Sequence, residues 1–214
     1  MADQFVVVIE GLEHLNSFEE IPRKIVEAAR IAINDTAVRA RTLYGRAILK
    51  ETAFPDAYVA PRNGRLVVAD KATNSKLEAV VSARSRATSL ARFAQESGPS
   101  GGKRGRRAPG VRVEVEPHVV KKLEGAFLIK LKAGAASIDT KNNLGLAVRT
   151  RNGRPPPGYK PVQIGENVWL LYGPSVAQNL YSVRNKGGVA TDLSPQIADE
   201  LEAEFWRQMD RLDA

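Results

Sequence analysis

The sequence predicts an α+β fold: a mainly antiparallel sheet with a long N-terminal helix and two C-terminal helices. Three observations predict it. Ile25, Ala29, Ile33, Ala37, Ala40, Tyr44 and Ile48 recur close to every 3.6 residues, the period of one helix face. The middle of the chain breaks into short alternating segments separated by glycine and proline, the signature of strands and turns. Near the end, Ile197, Leu201, Phe205 and Met209 form a second helical stripe, with Leu212 one turn on. No internal repeat is present, and the 214 residues read as a single domain with flexible basic loops at about 97–110 and 150–161.

Taken in order, Phe5–Ile9 is a compact apolar run that reads as a first strand. Ser17 with Glu20 three residues later has capping-box spacing, and Pro22 allows the helix to begin a residue or two after that. Unbroken from 21 to 50, the helix would be about 45 Å long. Gly45 costs about 1 kcal/mol relative to alanine and marks where a kink would fall. Arg39, Arg41, Arg46 and Lys50 lie mostly off the apolar stripe and read as a solvated face. Phe54-Pro55-Asp56 and Ala60-Pro61-Arg62-Asn63-Gly64 are turns. Arg65–Ala69 and Leu77–Arg84 are strand-like, and Thr88–Gln95 fits either strand or helix. Val111, Val113 and Val115 alternate with Arg112, Glu114 and Glu116, as in a half-buried strand. Phe127, Ile129 and Leu131 alternate with Leu128, Lys130 and Lys132, which assigns the first three to the core. Leu144–Arg149 and Asn167–Tyr172 are further strands. Pro174 opens a short helix through Val183, and Asn185-Lys186-Gly187-Gly188 stops it. The last helix begins at Ser194 as N-cap with Pro195 in its first position, and Asp199, Glu200 and Glu202 suit its dipole.

Composition excludes several function classes. There is no cysteine, so disulfides, thiolate metal sites and cysteine nucleophiles are ruled out, and cytosolic synthesis is expected. Asn34-Asp35-Thr36 is then a chance sequon. No apolar run approaches the roughly 20 residues that span a bilayer, and the first residues carry acids where a signal peptide needs bases. The net charge of +8 is unevenly spread: residues 1–20 and 192–214 are each −5, which leaves +18 on residues 21–191. A basic middle of that size suits nucleic acid or an acidic protein face. Aromatics are 6% of residues, and none lies between Phe93 and Phe127. Stacking-based recognition of single strands is therefore disfavoured.

Residues 98–112 read GPSGGKRGRRAPGVR, with five glycines, two prolines, five positive charges and no acid. A phosphate-binding P-loop needs four residues between its glycines and a hydroxyl after the lysine. Here Gly98 to Gly102 is too short, and Arg104 follows Lys103. The segment reads instead as an arm for an acidic partner. Lys103, Arg104, Arg106, Arg107 and Arg112 are its candidate contacts, joined by Arg151, Arg154 and Lys160 from the second basic stretch, TRNGRPPPGYKP. His14 and His118 lack zinc-ligand spacing, and Gly173-Pro174-Ser175-Val176-Ala177 lacks the final glycine of a nucleophile elbow. Asp56 and the later Asp139 and Lys141 could serve a metal-dependent nuclease, but the two acids stand 83 residues apart rather than within one hairpin.

Two stretches, KKLEGAFLIKLKAG (121–134) and WLLYGPSVAQNLYSV (169–183), followed by an acidic final helix, resemble the minor tail protein Z family of long-tailed phages. The resemblance rests on Gly125, Ala126 and Phe127 leading into an alternating strand. It rests equally on Leu171, Tyr172, Gly173, Pro174, Ser175 and Val176 opening a helix. It covers roughly residues 115–214 and the N-terminal helix, and leaves 51–110 aside. The resemblance implies a structural virion protein at the head-proximal end of the tail, enabling head–tail joining and DNA passage. It brings no catalytic residue, metal or cofactor. Its implied partners are further copies in a ring, tail-terminator, tail-tube or head–tail connector proteins, and transiently phage DNA, with no membrane. The alternative expectation is a sequence-independent DNA-binding protein that uses the same basic loops.

Overall fold

The computed structural model describes residues 22–95, 110–131, 143–151, 153–154, 157–181 and 188–213. The Phe5–Ile9 strand and the Ser17–Glu20 cap lie outside them. The architecture is α+β, with an N-terminal helix, a mostly antiparallel set of strands and C-terminal helices. The chain forms two compact units, one from residues 1–48, 57–85 and 176–214, the other from 49–56 and 86–175. It passes between them four times, so no single linker marks a boundary.

The first unit is built on α1 (Arg23–Glu51), whose 29 residues span about 44 Å. Its buried face carries Ala29, Ile33, Ala37, Ala40, Tyr44 and Ile48 as the periodicity predicts, with Val26, Ala28, Ala32, Thr36 and Gly45. Helical hydrogen bonding begins with the amides of Ile25 and Val26, both donating to the Pro22 carbonyl, so the helix starts just after the proline. Strands β1 (Leu66–Asp70) and β2 (Val80–Ala83) form an antiparallel hairpin with Val67 opposite Ser82. Ile33 and Ala37 pack with Ala72 and Ala79 from the hairpin connection, and Val68, Leu77 and Leu201 close that cluster.

Polar side chains of α1 tie these pieces together. Asn34 forms a reciprocal pair with the Ala72 backbone: its amide nitrogen donates to the carbonyl at 3.1 Å, and its oxygen accepts from the amide at 2.8 Å. The Arg41 guanidinium donates to the carbonyl of Leu66 at 3.0 Å and to that of Val59. Burial lowers its pKa. Nearby, Arg65 lies over the Tyr58 ring at 4.1 Å from the centroid and donates to the Tyr58 carbonyl. Arg41 is therefore a structural clamp rather than part of a solvated face, and Arg39 is engaged as well, through Glu204.

The two C-terminal helices are α2 (Val176–Leu180) and α3 (Gly188–Asp213). The short helix begins at Val176, two residues after Pro174, and the Ala177 amide donates to the Arg84 carbonyl at the end of β2. The last helix starts six residues before Ser194 and runs through Pro195. Pro195 is the eighth residue of this helix, so its missing N–H removes one interior i→i−4 bond, and the turn before it extends the helix by burying Val189 and Ala190. The buried stripe of α3 also differs from its apolar pattern. Ile197, Glu204 and Gln208 are buried, whereas Phe205 and Met209 are only half-buried. Glu204 can be buried because its carboxylate is fully engaged. Arg39 donates to Oε2 at 3.1 Å, while Arg207 and Gln208 donate to Oε1. Burial pushes this carboxyl up, but the hydrogen bonds from Arg207 and Gln208 and the charges of Arg207 and Arg39 outweigh it and hold it below 4.5.

The second unit is a five-stranded antiparallel sheet with a separate hairpin. The sheet contains β3 (Thr88–Ser89), β6 (Ala126–Lys130), β7 (Leu144–Arg149), β8 (Lys160–Gly165) and β9 (Val168–Gly173). Strand β9 carries β8 on one edge and β7, then β3, on the other. Strand β6 pairs with the far edge of β7. The hairpin joins β4 (Val111–Glu116) to β5 (Val119–Leu123). Thr88–Gln95 resolves into both alternatives, a two-residue strand followed by a 3-10 turn at Leu90–Phe93, where Ser89 Oγ accepts from the Ala91 amide.

One face of the sheet carries Ala126, Leu128, Leu146, Val148 and Leu171, all buried, and the unit's remaining buried apolar side chains include Leu90, Phe93, Val111 and Val113. Phe54 meets Phe93 with ring centroids 5.2 Å apart. Phe127 and Ile129 therefore point away from the main core, which corrects the inward assignment from alternation, and Leu131 beyond them is only half-buried. The alternation was real but both faces are apolar, so the pattern could not choose between them. Ile129, Leu131 and Leu170 instead crowd over Gly145, where an added Cβ would fall 2.6 Å from Leu170 Cδ2. Strand β8 begins at Lys160, inside the stretch read as a basic loop, and β5 was not anticipated from its sequence. The free edge of β8 is blunted by Lys160, Pro161 and a bulge between Gln163 and Gly165.

Two predictions follow from this packing. Leu128→Ala should destabilise the protein by about 2–5 kcal/mol in chemical denaturation, and Ile129→Ala by clearly less; equal losses would contradict the assigned faces. Glu204 has a folded pKa below its unfolded value, so its contribution is complete above 4.5 and is lost as pH falls through the folded pKa. Glu204→Gln should lower stability at neutral pH by about 1–3 kcal/mol and flatten the acid limb of the stability curve. An unchanged slope below 4.5 would show that the carboxylate is not held this way.

Candidate functional site

The basic residues singled out in the sequence are not gathered into one patch among the described residues. Lys103, Arg104, Arg106 and Arg107 lie outside those residues. Lys160 opens β8 opposite Tyr172, at one end of β9. Arg151 follows the end of β7, where Arg149 pairs with Val168 at the other end of β9. Four residues of strand separate the two ends, about 13 Å. Arg154 follows Arg151 in the same connection and is exposed.

Arg112 is the member that acquires neighbours. It lies on β4 directly opposite Lys122 of β5, and Lys121 stands opposite Val113. All three basic residues are exposed. The acids of β4, Glu114 and Glu116, sit toward the turn. The Glu114 carboxylate accepts the His118 amide at 2.8 Å and is bonded to the Gln95 side chain at 3.3 Å. The His118 amide, then Gln95, hold its carboxyl below the usual range. The turn end of the hairpin thus carries Glu114 and Glu116, and the Gly110 end carries Arg112, Lys121 and Lys122 together with the exposed Glu124.

Gly110 is the residue through which segment 98–109 enters this hairpin. Its φ is +92°, and a Cβ there would lie 2.8 Å from the Leu123 carbonyl oxygen. Only glycine satisfies both constraints. The alternation of Val111 to Glu116 was legible in the sequence, but VVKKL was not, because β5 is exposed along nearly its whole length and offers no buried face to generate a pattern. The sequence signal for Lys121 and Lys122 was their charge alone.

The two motifs that carry the family resemblance occupy defined positions. Gly125, with φ +71°, turns β5 into β6, where Ala126 is fully buried and Phe127 half-buried. Leu171 is buried and Tyr172 half-buried in β9. A Cβ on Gly173 would come within 3.0 Å of Leu90 Cδ2, so this strand end packs tightly. Pro174 and the buried Ser175 lead into α2 at Val176, the point where the chain passes from the second unit to the first.

No group of three or more His, Asp or Glu that could hold a metal ion occurs among the described residues. Asp56 is described, whereas Asp139, Lys141 and His14 lie outside. No described helix is long and apolar enough to cross a membrane. No protein-family model, curated protein or solved structure matches the chain.

If the open end of the hairpin meets phosphate, Arg112→Ala and Lys122→Ala should each weaken binding to duplex DNA of any sequence. Each should also reduce the slope of log K against log salt by about 1. A titration across salt concentrations checks this, and an unchanged slope would remove both residues from any phosphate contact.

Proposed function

We propose that this chain is a structural virion protein that completes the head-proximal end of a long phage tail, so that the tail can join a filled head and conduct DNA. The observation that carries this reading is the pair of family-like motifs. Gly125-Ala126-Phe127 follows the β5–β6 turn, where Gly125 has φ +71°, and Leu171–Val176 runs from the end of β9 into α2, where close packing around Gly173 restricts the residue type. Sequence similarity at such positions reflects a shared backbone more than a shared surface chemistry. The expected partners are further copies of the chain in a ring, together with tail-terminator, tail-tube or connector proteins. DNA passing through the joint would be a transient contact. Its place would be the head-proximal end of the virion's tail, after assembly in the host cytoplasm.

A second reading, a sequence-independent DNA-binding protein, is favoured by one observation. Arg112 and Lys122 stand opposed on the hairpin that segment 98–109 enters. Both readings use the same basic surface and differ in what loss of that surface would do. Under the tail reading the basic segment serves assembly rather than folding, because nearly all of it is polar or glycine and loop length costs little stability.

Replacing residues 98–109 with a short Gly-Ser linker, with Gly110 kept, tests this. The melting temperature should stay nearly unchanged while the yield of DNA-filled, tail-joined particles falls. Equal particle yield would remove the segment from assembly. Collapse of the melting transition would make it a structural element.

A further inference from the structure

Helix α3 carries an exposed stripe unlike its buried one. Asp199, Glu202, Trp206 and Asp210, spaced by three, four and four residues, share one helical face and are all exposed. Trp206 is 57% exposed and stands edge-on to Phe205, with ring centroids 5.3 Å apart. None of the three acids has an ion-pair or hydrogen-bond partner among the described residues. Burying an indole stabilises a protein by several kcal/mol, so tryptophan held this far into water is uncommon outside an interface.

The same unit displays the complementary surface. An open groove is lined by Val38, Arg39, Thr42, Leu43 and Arg46 of α1 and by Glu200 of α3. Val38 is 51% exposed in this lining, which it shares with Arg39, Arg46 and Glu200. Arg39 is committed to Glu204, which fixes its position, but Arg46 has no ion-pair partner among the described residues. The groove therefore presents an apolar spot beside one uncommitted guanidinium, that of Arg46, with the Glu200 carboxylate, held by Gln196, also in its lining; the stripe presents an apolar side chain between negative ones.

We propose that the α3 stripe of one copy docks in the α1 groove of a second copy, with Trp206 on Val38 and Leu43 and with Glu202 or Asp210 against Arg46. The occupant is a second copy because this chain supplies both halves of a match in charge and in apolar position. An unrelated basic partner would fit the stripe but would leave the groove unexplained. The inference does not rest on the tail reading, and self-association would hold or fail whatever the chain does in its host. The charged rim governs how fast and how specifically the surfaces meet, and the indole supplies most of the affinity.

Sedimentation velocity on the full chain tests the proposal. Wild-type protein should self-associate, more weakly as salt rises. Trp206→Ala should lower the association constant by at least about tenfold. The residue is exposed, so its circular dichroism and melting should be unchanged. Arg46→Glu and Glu202→Arg should each associate poorly alone. An equal mixture should regain association, because the first variant keeps the acidic stripe and the second keeps the basic groove. A monomeric wild type at its highest soluble concentration, a Trp206→Ala chain that associates as tightly as wild type, or a mixture no better than either variant would overturn the proposal. Association that survives in Trp206→Ala would place the interface elsewhere, whether or not the tail reading stands.

Discussion

Ala28, Ala29, Ala32, Ala37 and Ala40 bury almost no side-chain volume, and they make up nearly half of the buried face of α1. Each contributes little hydrophobic energy, but together they let neighbouring backbone come close to the helix. That approach brings main-chain groups within reach of the longer polar side chains of α1. The β1–β2 hairpin has only two strands, so part of its backbone has no ladder partner, and a buried unpaired carbonyl is costly. Arg41 supplies one such partner, at Leu66 of β1, and α1 also serves backbone beside the hairpin, with Arg41 at Val59 and Asn34 at Ala72 in the connection. Arg39 extends the same device to α3 through Glu204. The first unit thus depends on small residues that set distance and polar ones that satisfy what the distance exposes.

This division of labour explains what was legible in the sequence. Six of the seven residues of the expected α1 stripe are buried, since alanine and large apolar residues alike keep the helical period, while Ile25 at its start is only half-buried and Val26, Ala28, Ala32, Thr36 and Gly45 widen the face. The roles of Arg39 and Arg41 were not, because a guanidinium that serves a distant carbonyl looks the same in sequence as a solvated one. The α3 stripe failed for the converse reason. Glu204 and Gln208 are polar and so dropped out of the pattern, yet their hydrogen bonds let them be buried where Phe205 and Met209 were expected. Pro195 misplaced the helix start, because its preference for a first turn competed with the burial of Val189 and Ala190. In the sheet, β7 is buried at five of six positions, which leaves no polar face to orient its neighbour β6. The sequence could locate β6 but not choose its inward side.

Of the candidate surface, the charge was legible and the arrangement was not. Eight basic residues were singled out, and the structure sets Arg112 opposite Lys122, with Lys121 on the other face of the hairpin, while separating Lys160 from Arg151 along β9. Cross-strand register decides such groupings, and register is set by pairings that no local pattern reveals. In the first unit an exposed acidic stripe lies on α3, and Arg46 of α1 stands without an ion-pair partner among the described residues. In the second unit the opposed Arg112 and Lys122 of the hairpin carry chemistry that attracts a polyanion.

The measurement that bears most directly on the tail-end assignment is localisation in purified particles. A small epitope tag would be attached at the C-terminus and decorated with gold-labelled antibody, and particles would be imaged by electron microscopy. The assignment predicts label at the joint between head and tail and nowhere else along the tail. Label spread along the tube, confined to the distal tip, or absent from particles that carry head and tail proteins would contradict it.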